Sequence, residues 1–391
     1  MSLRKPSRNF STRLNRVLHD ACAQLLSRLR PLRVIRQPEE VAPPNSCEWI
    51  DEAGRLEVDN SFENRFHSRE LKSSLEWPAL PLMTLHDAWI TGDQGQVFLH
   101  DGTFLCVCPS LRHLPQRKIR RPLAWLARPL RGVYFHLTGV DHENHAHFLL
   151  QHLPRLLAAR EHCRKHSAEL KVIVAPGHKR WQSRYLQYFG ISDDRIVEAS
   201  VGTIRVEKLL YVPMAYGNTY LCNPRFYREI RDGFTRSIPP EAEGAHGPIL
   251  FISRQDAPDR RLTNEEEIIA ICREELGSVQ VVQLGRLKLD EQIRLCATAR
   301  LIIGPQGQGM GVVLFAKGGL FVVLEYGETF HVHGWCRAFC DTASALGLQT
   351  LRLMSGGGFD ACRDWNYPAD KFREEVLRLR DLAPNLLPPS S

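Results

Sequence analysis

The sequence predicts an α/β protein of two domains, each built on a parallel sheet. Short apolar segments alternate with helical patterns in two successive blocks, and a polar stretch at residues 241–247 separates the blocks. Within the second block, a run of glycines at 304–311 directly follows an apolar segment, as expected for a tight connection from a strand to a helix. A chain of 391 residues is long enough for two such domains.

The N-terminal region, residues 1–80, is predicted to lie outside both sheets. Leu14–Leu32 places leucines at near-helical spacing among arginines, which predicts a basic amphipathic helix. Prolines recur between residues 37 and 80, which favours a linker and an irregular lead-in. The helix has two open interpretations, a terminal helix docked on the protein and a helix that lies on a membrane surface.

The first domain is predicted at residues 81–240. Glycine turns join short apolar segments between Asp87 and Cys108, which is the pattern of a small antiparallel meander. Strands and helices then alternate. The predicted strands are Gly132–Leu137, Leu170–Ala175, Arg195–Glu198 and Lys208–Val212, and the predicted helices are Asn144–Arg164, Arg180–Phe189 and Arg225–Arg236.

The second domain is predicted at residues 241–391. Its predicted strands are Ile249–Ser253, Val279–Gln283, Leu301–Gly304, Leu320–Glu325 and Thr350–Leu353, and its predicted helices are Asn264–Leu276, Leu289–Ala299, Trp335–Leu346 and Pro368–Leu382. Ligands of open α/β sheets bind outside the carboxyl ends of the strands. The residues that follow these strands are therefore the first candidates for a site.

The composition limits the possible partners and the compartment. A formal net charge of +7 is a mild excess, which suits an anionic ligand but does not indicate nucleic acid. Eleven cysteines without a CxxC pair favour reduced thiols in a cytosolic protein, and no set of four ligands predicts zinc. The sequence has no apolar run of the roughly 18 residues that a membrane span requires, and no signal-peptide pattern. We therefore expect a cytoplasmic protein.

A first candidate phosphate site follows the strand Ile249–Ser253. Arg254 stands at its end, and Arg260 and Arg261 follow. Thr263 or Asn264 can then cap a helix, and Thr263 and Glu266 have the spacing of a capping box. Arginines beside a helix N-terminus suit a diphosphate. A solvated run of charges with a capping device accounts for the same residues equally well.

A second candidate site is the segment from Gly304 to Gly311, which includes Gln306, Gly307, Gln308 and Gly309. Glycines allow backbone N–H groups to approach a phosphate. The segment does not match the dinucleotide-binding fingerprint, because no acidic residue follows at the required distance. A tight strand-to-helix connection without a ligand is the alternative.

Two further groups of polar residues follow apolar segments. Glu325 ends a strand, where it can accept hydrogen bonds from ribose or sugar hydroxyls or face a loop. Asp141-His142-Glu143-Asn144-His145-Ala146-His147 holds three histidines, but their spacing is not HExxH and a metal site is disfavoured. Asn144 is suited to cap a helix, which would place His147 in its first turn as a base or a phosphate ligand.

Taken together and in this order, these segments resemble glycosyltransferase family 61, the group of capsular polysaccharide biosynthesis proteins. The resemblance covers about residues 85–355. The segments that carry it are Asn144-His145-Ala146-His147-Phe148, Leu153-Pro154-Arg155, Ile252-Ser253-Arg254, Arg260-Arg261, Asn264-Glu265-Glu266, Gly304–Gly309, Leu314-Phe315 and Glu325. Gln306 replaces a histidine that is usual in the family, and Gln308 replaces an alanine. A glutamine can donate a hydrogen bond to a phosphate but carries no charge.

The resemblance implies a GT-B-like fold, in which two Rossmann-type domains face a cleft. It implies a glycosyltransferase, a hexosyl- or pentosyltransferase, that moves a sugar from a nucleotide-sugar donor to a glycan or glycolipid acceptor in bacterial surface polysaccharide synthesis. The transfer would be inverting and independent of metal, without a cofactor. The N-terminal helix would be the point of any peripheral contact with the inner membrane.

The resemblance also implies roles for the candidate residues. Arg254, Arg261, Asn264, Gln306, Gly307, Gln308, Gly309 and Glu325 would bind the donor, and Asn144 and His145 would face the acceptor. His147 is the first candidate for the catalytic base, followed by Glu143 and Asp141. Two other classes stay open, a non-catalytic carbohydrate- or nucleotide-binding scaffold of a polysaccharide assembly complex and a metal-dependent hydrolase built on the histidine cluster.

Overall fold

The computed structural model describes residues 33–68, 74–91, 95–107, 129–139, 141–175, 177, 180–199, 203–213, 221–239, 247–327, 334–357 and 363–387. The predicted helix Leu14–Leu32 lies outside the described residues. So does most of the predicted domain boundary at 241–247. The chain divides into two compact units. The first unit is Met1–Glu52, Pro78–Glu143 and Gln151–Gly217, and the second is Ala53–Trp77, Asn144–Leu150 and Asn218–Ser391.

The described strands are numbered in chain order. They are β1 Val34–Ile35, β2 Ser46–Asp51, β3 Gly54–Glu57, β4 Ser74–Trp77, β5 Leu80–Thr91, β6 Gln96–Phe98, β7 Phe104–Leu105, β8 Pro129–His136, β9 Lys171–Val174, β10 Ile196–Glu198, β11 Thr203–Tyr211, β12 Ile249–Ile252, β13 Val279–Val282, β14 Leu301–Pro305, β15 Leu320–Glu325 and β16 Gln349–Met354.

The α-helices of more than one turn are α1 Ser61–His67, α2 Leu153–Lys165, α3 Arg180–Tyr188, α4 Pro224–Thr235, α5 Glu265–Leu276, α6 Leu289–Thr298, α7 Gly334–Ala345 and α8 Ala369–Leu382. A single turn, His145–His147, and a π-helical turn, Phe148–His152, precede α2, and a 3₁₀ helix spans Gln308–Phe315. Within the described ranges, no helix combines the length and the apolar character needed to cross a membrane.

The sheet of the first unit is mixed, which corrects the prediction of a parallel sheet in each domain. Its order is β1-β7-β6-β5-β11-β8-β9-β10, and β2 also pairs with β5. The strands β11, β8, β9 and β10 are parallel neighbours, as the strand-helix alternation predicts. However, β5 pairs antiparallel with β11, β2 and β6, and so joins the predicted meander to the parallel part. An apolar pattern carries no information on strand direction, which is why the sequence did not reveal this pairing.

The sheet of the second unit is parallel throughout, as predicted. Its order is β13-β12-β14-β15-β16. Every residue of β12, β14 and β15 is buried. Continuous burial is expected where helices cover both faces of a parallel sheet, and it explains why these strands are uninterrupted apolar runs in the sequence.

The described residues between 37 and 80 form regular structure, so the prediction of an irregular lead-in is wrong. They include β2, β3, β4 and α1. The helix α1 buries Phe62 and Phe66, one turn apart, in the core of the second unit. Pro38, Pro43 and Pro44 all precede β2, and therefore delimit the elements without interrupting them.

The helix α4 also belongs to the second unit, although the sequence places it in the first domain. Its buried face includes Phe226, Ile230 and Phe234. The ring of Phe234 meets that of Phe315 edge to face, with 5.1 Å between the centroids. This apolar contact with the 3₁₀ helix accounts for the grouping.

Candidate functional site

The order of the second sheet places its topological switch point between β12 and β14. These two strands are neighbours, while β13 lies on the far side of β12 and β15 on the far side of β14. The two chain connections therefore run in opposite directions from this point, and ligands of open α/β sheets bind in the crevice that results. Arg254 follows β12 by two residues and Gln306 directly follows β14, so both lie at this edge.

Arg254 is a buried arginine whose side chain is fixed by backbone carbonyls. Its Nη2 donates to the carbonyl of Asp259 at 3.0 Å, and its Nε donates to that of Arg260 at 3.4 Å. Burial lowers the pKa of the guanidinium, but an arginine stays charged at neutral pH. Its Nη1 has no hydrogen-bond acceptor among the described residues and lies against the backbone of Gly307. A fixed cation with a free donor is suited to bind an anion.

Gly307 is required by this close approach. A Cβ atom at position 307 would lie 1.6 Å from Nη1 and 2.5 Å from Cζ of Arg254. The backbone of Gly307 is extended, with φ 169°, so its conformation alone does not demand glycine. Glycine is required because a side chain would collide with Arg254. The position of the arginine therefore depends on the glycine-rich turn.

Glu265 also belongs to this site, although the sequence indicated it only as part of the segment Asn264-Glu265-Glu266. Its carboxylate accepts hydrogen bonds from the Ser253 hydroxyl and from the backbone N–H of Arg254, the latter at 3.0 Å. Burial is the main cause of a raised pKa for this carboxyl group. Glu265 thus orders the turn that carries Arg254. The sequence signal for this role was a glutamate at the start of the helix that follows the Ser253-Arg254 strand end.

Gln306 has a buried side-chain amide whose oxygen accepts no hydrogen bond from the described residues. Its backbone N–H donates to the carbonyl of Leu324 at 2.8 Å and so continues the pairing of β14 with β15. Its side chain is 8% exposed, and its Oε1 has no hydrogen-bond partner among the described residues. Buried polar atoms are rarely left unpaired. The orphaned oxygen therefore indicates that a ligand or water completes this part of the site.

The segment that starts at Asn144 packs on the glycine-rich turn within the same unit. Asn144 Oδ1 accepts from the backbone N–H groups of Ala146 and His147, which confirms the predicted N-cap. Gln308 Oε1 accepts from the backbone N–H of His145 at 3.2 Å. A Cβ at Gly311 would lie 3.2 Å from Ala146, so this glycine also allows close packing. The structure thus brings together two motifs that are about 160 residues apart.

The two histidines of this segment differ in their environments. His145 places Nδ1 3.4 Å from the carbonyl oxygen of Gln308, and burial lowers the pKa of its ring to about 4. The ring is therefore neutral at physiological pH and is a weak base. His147 is buried in the first turn of the helix, as the cap predicts.

Asp141 and Glu143 belong to the first unit. Both are exposed, and Asp141 adopts a left-handed conformation with φ 57°. Between them, His142 places Nδ1 2.9 Å from the carbonyl oxygen of Gly139, and its own carbonyl accepts from Gln182. No three ligand atoms within the described part of the 141–147 segment converge on a common point, so the geometry gives no support to a metal hydrolase there.

Arg261 and Asn264 hold the loop that precedes α8. Arg261 donates from Nε and Nη2 to the buried carboxylate of Asp364 at 2.9 and 2.8 Å. Asn264 exchanges hydrogen bonds with the backbone of Tyr367. The structure therefore gives both predicted donor ligands a role in joining distant loops.

The predicted capping box at Thr263 is wrong. Its hydroxyl donates to the carbonyl of Trp365 at 3.1 Å, and the cap position Asn264 makes no side-chain cap. The hydroxyl is used by a loop that lies about 100 residues later in the chain, and a local pattern cannot reveal such a partner.

Glu325 lies at the carboxyl end of β15 but points into a buried charge cluster. It is 2% exposed, and its Oε1 has no partner among the described residues. Burial raises its pKa to about 7, against the opposing effect of Arg352 and with a smaller contribution from Glu63. Arg352 itself donates to Glu63 of α1 at 3.1 Å. A carboxyl group so deeply buried is poorly placed to meet a ligand from solvent.

The comparisons with known proteins give one match. A sequence model of the family described as Glycosyltransferase 61 matches residues 145–323. This range contains the helical turn His145–His147, the Arg254 turn, the glycine-rich turn and the first four of the six residues of β15. The comparison with curated proteins finds no match.

Proposed function

We propose that this chain, whose residues 145–323 match the family described as Glycosyltransferase 61, transfers a sugar from a nucleotide-sugar donor to a glycan or glycolipid acceptor. The observation that carries the proposal is a buried arginine and a buried amide oxygen without a partner in the described part of the chain, both at the switch point of the second sheet. Arg254 offers a fixed positive charge, and Gln306 offers an amide with no partner for its oxygen among the described residues. A diphosphate with an attached ribose or sugar presents both the anion and the hydroxyl donors that these groups require.

The donor diphosphate is proposed to bind at Arg254, with backbone N–H groups of Gly307–Gly309 in support. Gln306 would accept a hydrogen bond from a donor hydroxyl through Oε1 or donate one to a phosphate through its nitrogen. Arg261, Asn264 and Glu325 would contribute indirectly, because their polar atoms serve loops and a buried cluster. The proposed donor site therefore consists of the residues that follow β12 and β14 at the carboxyl edge of the sheet.

The reaction is proposed to invert the anomeric centre without a metal. The acceptor hydroxyl would lose its proton to His147, and its oxygen would attack the anomeric carbon as the bond to the diphosphate breaks. Arg254 would stabilise the negative charge that develops on the leaving group, which is the task a metal performs in other sites. His145 is neutral and a poorer base because of its low pKa. Glu143 and Asp141 remain the alternative bases.

The wider assignments follow the family resemblance. We propose that the two units correspond to the acceptor and donor domains of a GT-B-like enzyme and that they face a cleft, with Asn144 and His145 on the acceptor side. We also propose a role in bacterial surface polysaccharide synthesis in the cytoplasm. The basic N-terminal segment would supply any contact with the inner membrane.

Calorimetric titration with UDP, GDP and CMP and with their sugars tests the proposal. We expect one of these ligands to bind the wild-type protein and to raise its melting temperature, because it binds only the folded state. Arg254→Ala should weaken binding strongly and reduce the rise in melting temperature. Arg294→Ala is the matched control, since Arg294 is an exposed arginine of the same unit. Failure of the whole panel to bind, or equal affinity in both variants, would refute the proposal.

A binding scaffold is the second candidate, and Gln306 is the observation that favours it. The neutral amide replaces a residue type that can carry charge or a proton, so binding without turnover is chemically reasonable. Slow hydrolysis of the bound donor separates the two candidates. Release of the nucleoside diphosphate from the wild-type protein, absent in Arg254→Ala, supports the transferase. Tight binding with no release over many hours supports the scaffold.

A further inference from the structure

The first unit contains a cluster of two histidines and a carboxylate that the proposed transfer does not use. It is formed by Glu48 of β2, His162 of α2 and His166, which caps the same helix. One ligand atom from each side chain lies within 4.8 Å of the other two. These three residues are called the Glu48 cluster below.

The helix geometry explains why the two histidines face the same point. His166 donates its backbone N–H to the carbonyl of His162 at 3.1 Å, so the side chains lie one helical turn apart on one face. Their ring centroids are 4.4 Å apart, and the ring planes are inclined by 44°. Two imidazole rings so placed can bind one cation between them.

Glu48 completes the cluster from the sheet. Its place on β2 is fixed by the antiparallel pairing with β5, where Glu48 lies opposite Leu82. Its Oε1 lies in direct contact with Nδ1 of His162, whose side chain is buried. The carboxylate and His166 are exposed, so the cluster is open to solvent on one side. The helix C-terminus beside it carries partial negative charge, which also favours a cation.

We propose that the Glu48 cluster binds one zinc ion, with these three side chains as ligands and water in the fourth position. Two histidines and one carboxylate form a ligand set that zinc accepts in proteins. The hard ions Mg²⁺ and Ca²⁺ prefer oxygen ligands and are disfavoured here. The ion would join β2 to α2, which are 114 residues apart in the chain at the Glu48–His162 contact. It would stabilise the first unit and take no part in the proposed transfer.

The test is zinc binding to the full-length protein without an affinity tag, after removal of metal with a chelator. We expect one zinc per chain by calorimetry and elemental analysis, and an increase in melting temperature on addition of zinc. His166→Ala and Glu48→Gln should each weaken binding by at least about tenfold, since even an outer-shell partner is worth that much. Both residues are exposed, so these variants should fold. His100→Gln, an exposed histidine of the same unit, is the matched control and should bind as the wild type does.

Cobalt substitution identifies the ligands independently of any activity. The visible bands of a tetrahedral Co²⁺ site should appear in the wild type and in His100→Gln, and should be lost in His166→Ala. A strong near-ultraviolet thiolate band would instead place the metal on cysteines and would overturn the proposal. The absence of stoichiometric binding in the wild type, or unchanged affinity in both ligand variants, would overturn it as well. Removal of zinc should lower the melting temperature and leave nucleotide binding intact.

Discussion

Substitution of Gly307 by alanine tests the link between the glycine-rich turn and Arg254. The added Cβ would lie 1.6 Å from Nη1 of Arg254, whereas ordinary contact requires about 3.5 Å or more. The guanidinium would have to retreat by roughly 2 Å. It would then lose its hydrogen bond of 3.0 Å to the carbonyl of Asp259 and its position between β12 and β14. Because a flexible side chain absorbs the collision, we expect the fold to survive.

The expected loss of affinity follows from the interaction that is displaced. Hydrogen bonds of a charged group contribute about 1.5–3 kcal/mol each. With about 1.4 kcal/mol per tenfold change in the dissociation constant, Gly307→Ala should weaken binding of the nucleoside diphosphate by about 10- to 140-fold. Gly318→Ala is the matched control, since a Cβ at that position meets nothing within 4 Å. It should bind as the wild type does.

A double-mutant cycle by calorimetry provides the assay. If Gly307→Ala acts through Arg254, it should have little further effect in the Arg254→Ala background. Urea unfolding of each variant verifies that the fold is retained. Two results would refute the reasoning. One is wild-type affinity in a folded Gly307→Ala protein, and the other is a loss that is the same with and without Arg254.

Three further predictions concern residues whose roles the structure revises or confirms. Glu325→Gln should flatten the dependence of stability on pH. The pKa of this carboxyl group is about 7 in the folded protein and near 4.5 when unperturbed. Between these two pH values the folded state therefore binds more protons than the unfolded state. About 3 kcal/mol of wild-type stability is consequently lost as the pH rises from 4.5 to 7. Arg261→Ala should lower the midpoint of urea unfolding, because it removes the ion pair with the buried carboxylate of Asp364, and should change nucleotide affinity far less than Arg254→Ala does. Asn144→Ala should cost about 1 kcal/mol of stability in urea unfolding, since it removes an N-cap with two hydrogen bonds.

Each of these predictions has its own control. For Glu325, parallel stability profiles of wild type and Glu325→Gln between pH 5 and pH 8 would contradict the buried titration. For Arg261, a loss of affinity as large as that of Arg254→Ala would restore its predicted place in the donor site. Asn144→Asp keeps an acceptor at the cap and should retain most of the stability. An unchanged midpoint in Asn144→Ala would contradict the capping role.

The sequence predicted the second sheet well because its information is local. β12, β14 and β15 are buried on both faces, so each is a continuous apolar run that stands out from its polar neighbours. The positions of Arg254 and Gln306 were predictable for a similar reason. A residue that closely follows a strand of a parallel sheet lies at the carboxyl edge of that sheet, independently of the rest of the fold.

The errors concern contacts between distant parts of the chain. Arg261 and Asn264 lie beside helix-start signals, yet their partners Asp364 and Tyr367 are 103 residues away. Glu325 was expected at an open edge, but Arg352 and Glu63 enclose it. The mixed sheet of the first unit has the same cause, because the direction of β5 depends on its pairing with β11. No local pattern specifies such partners.

The ion pair between Glu63 and Arg352 joins an early segment of the chain to one that is synthesised much later. The two residues are 289 positions apart. At the usual rate of synthesis of about 5–20 residues per second, Glu63 leaves the ribosome about 15–60 seconds before Arg352. During that interval α1 has apolar side chains to bury and no completed sheet to receive them. The apolar face of α1 is therefore exposed until β16 has emerged, and a chain that stops short of β16 lacks the partner of Glu63.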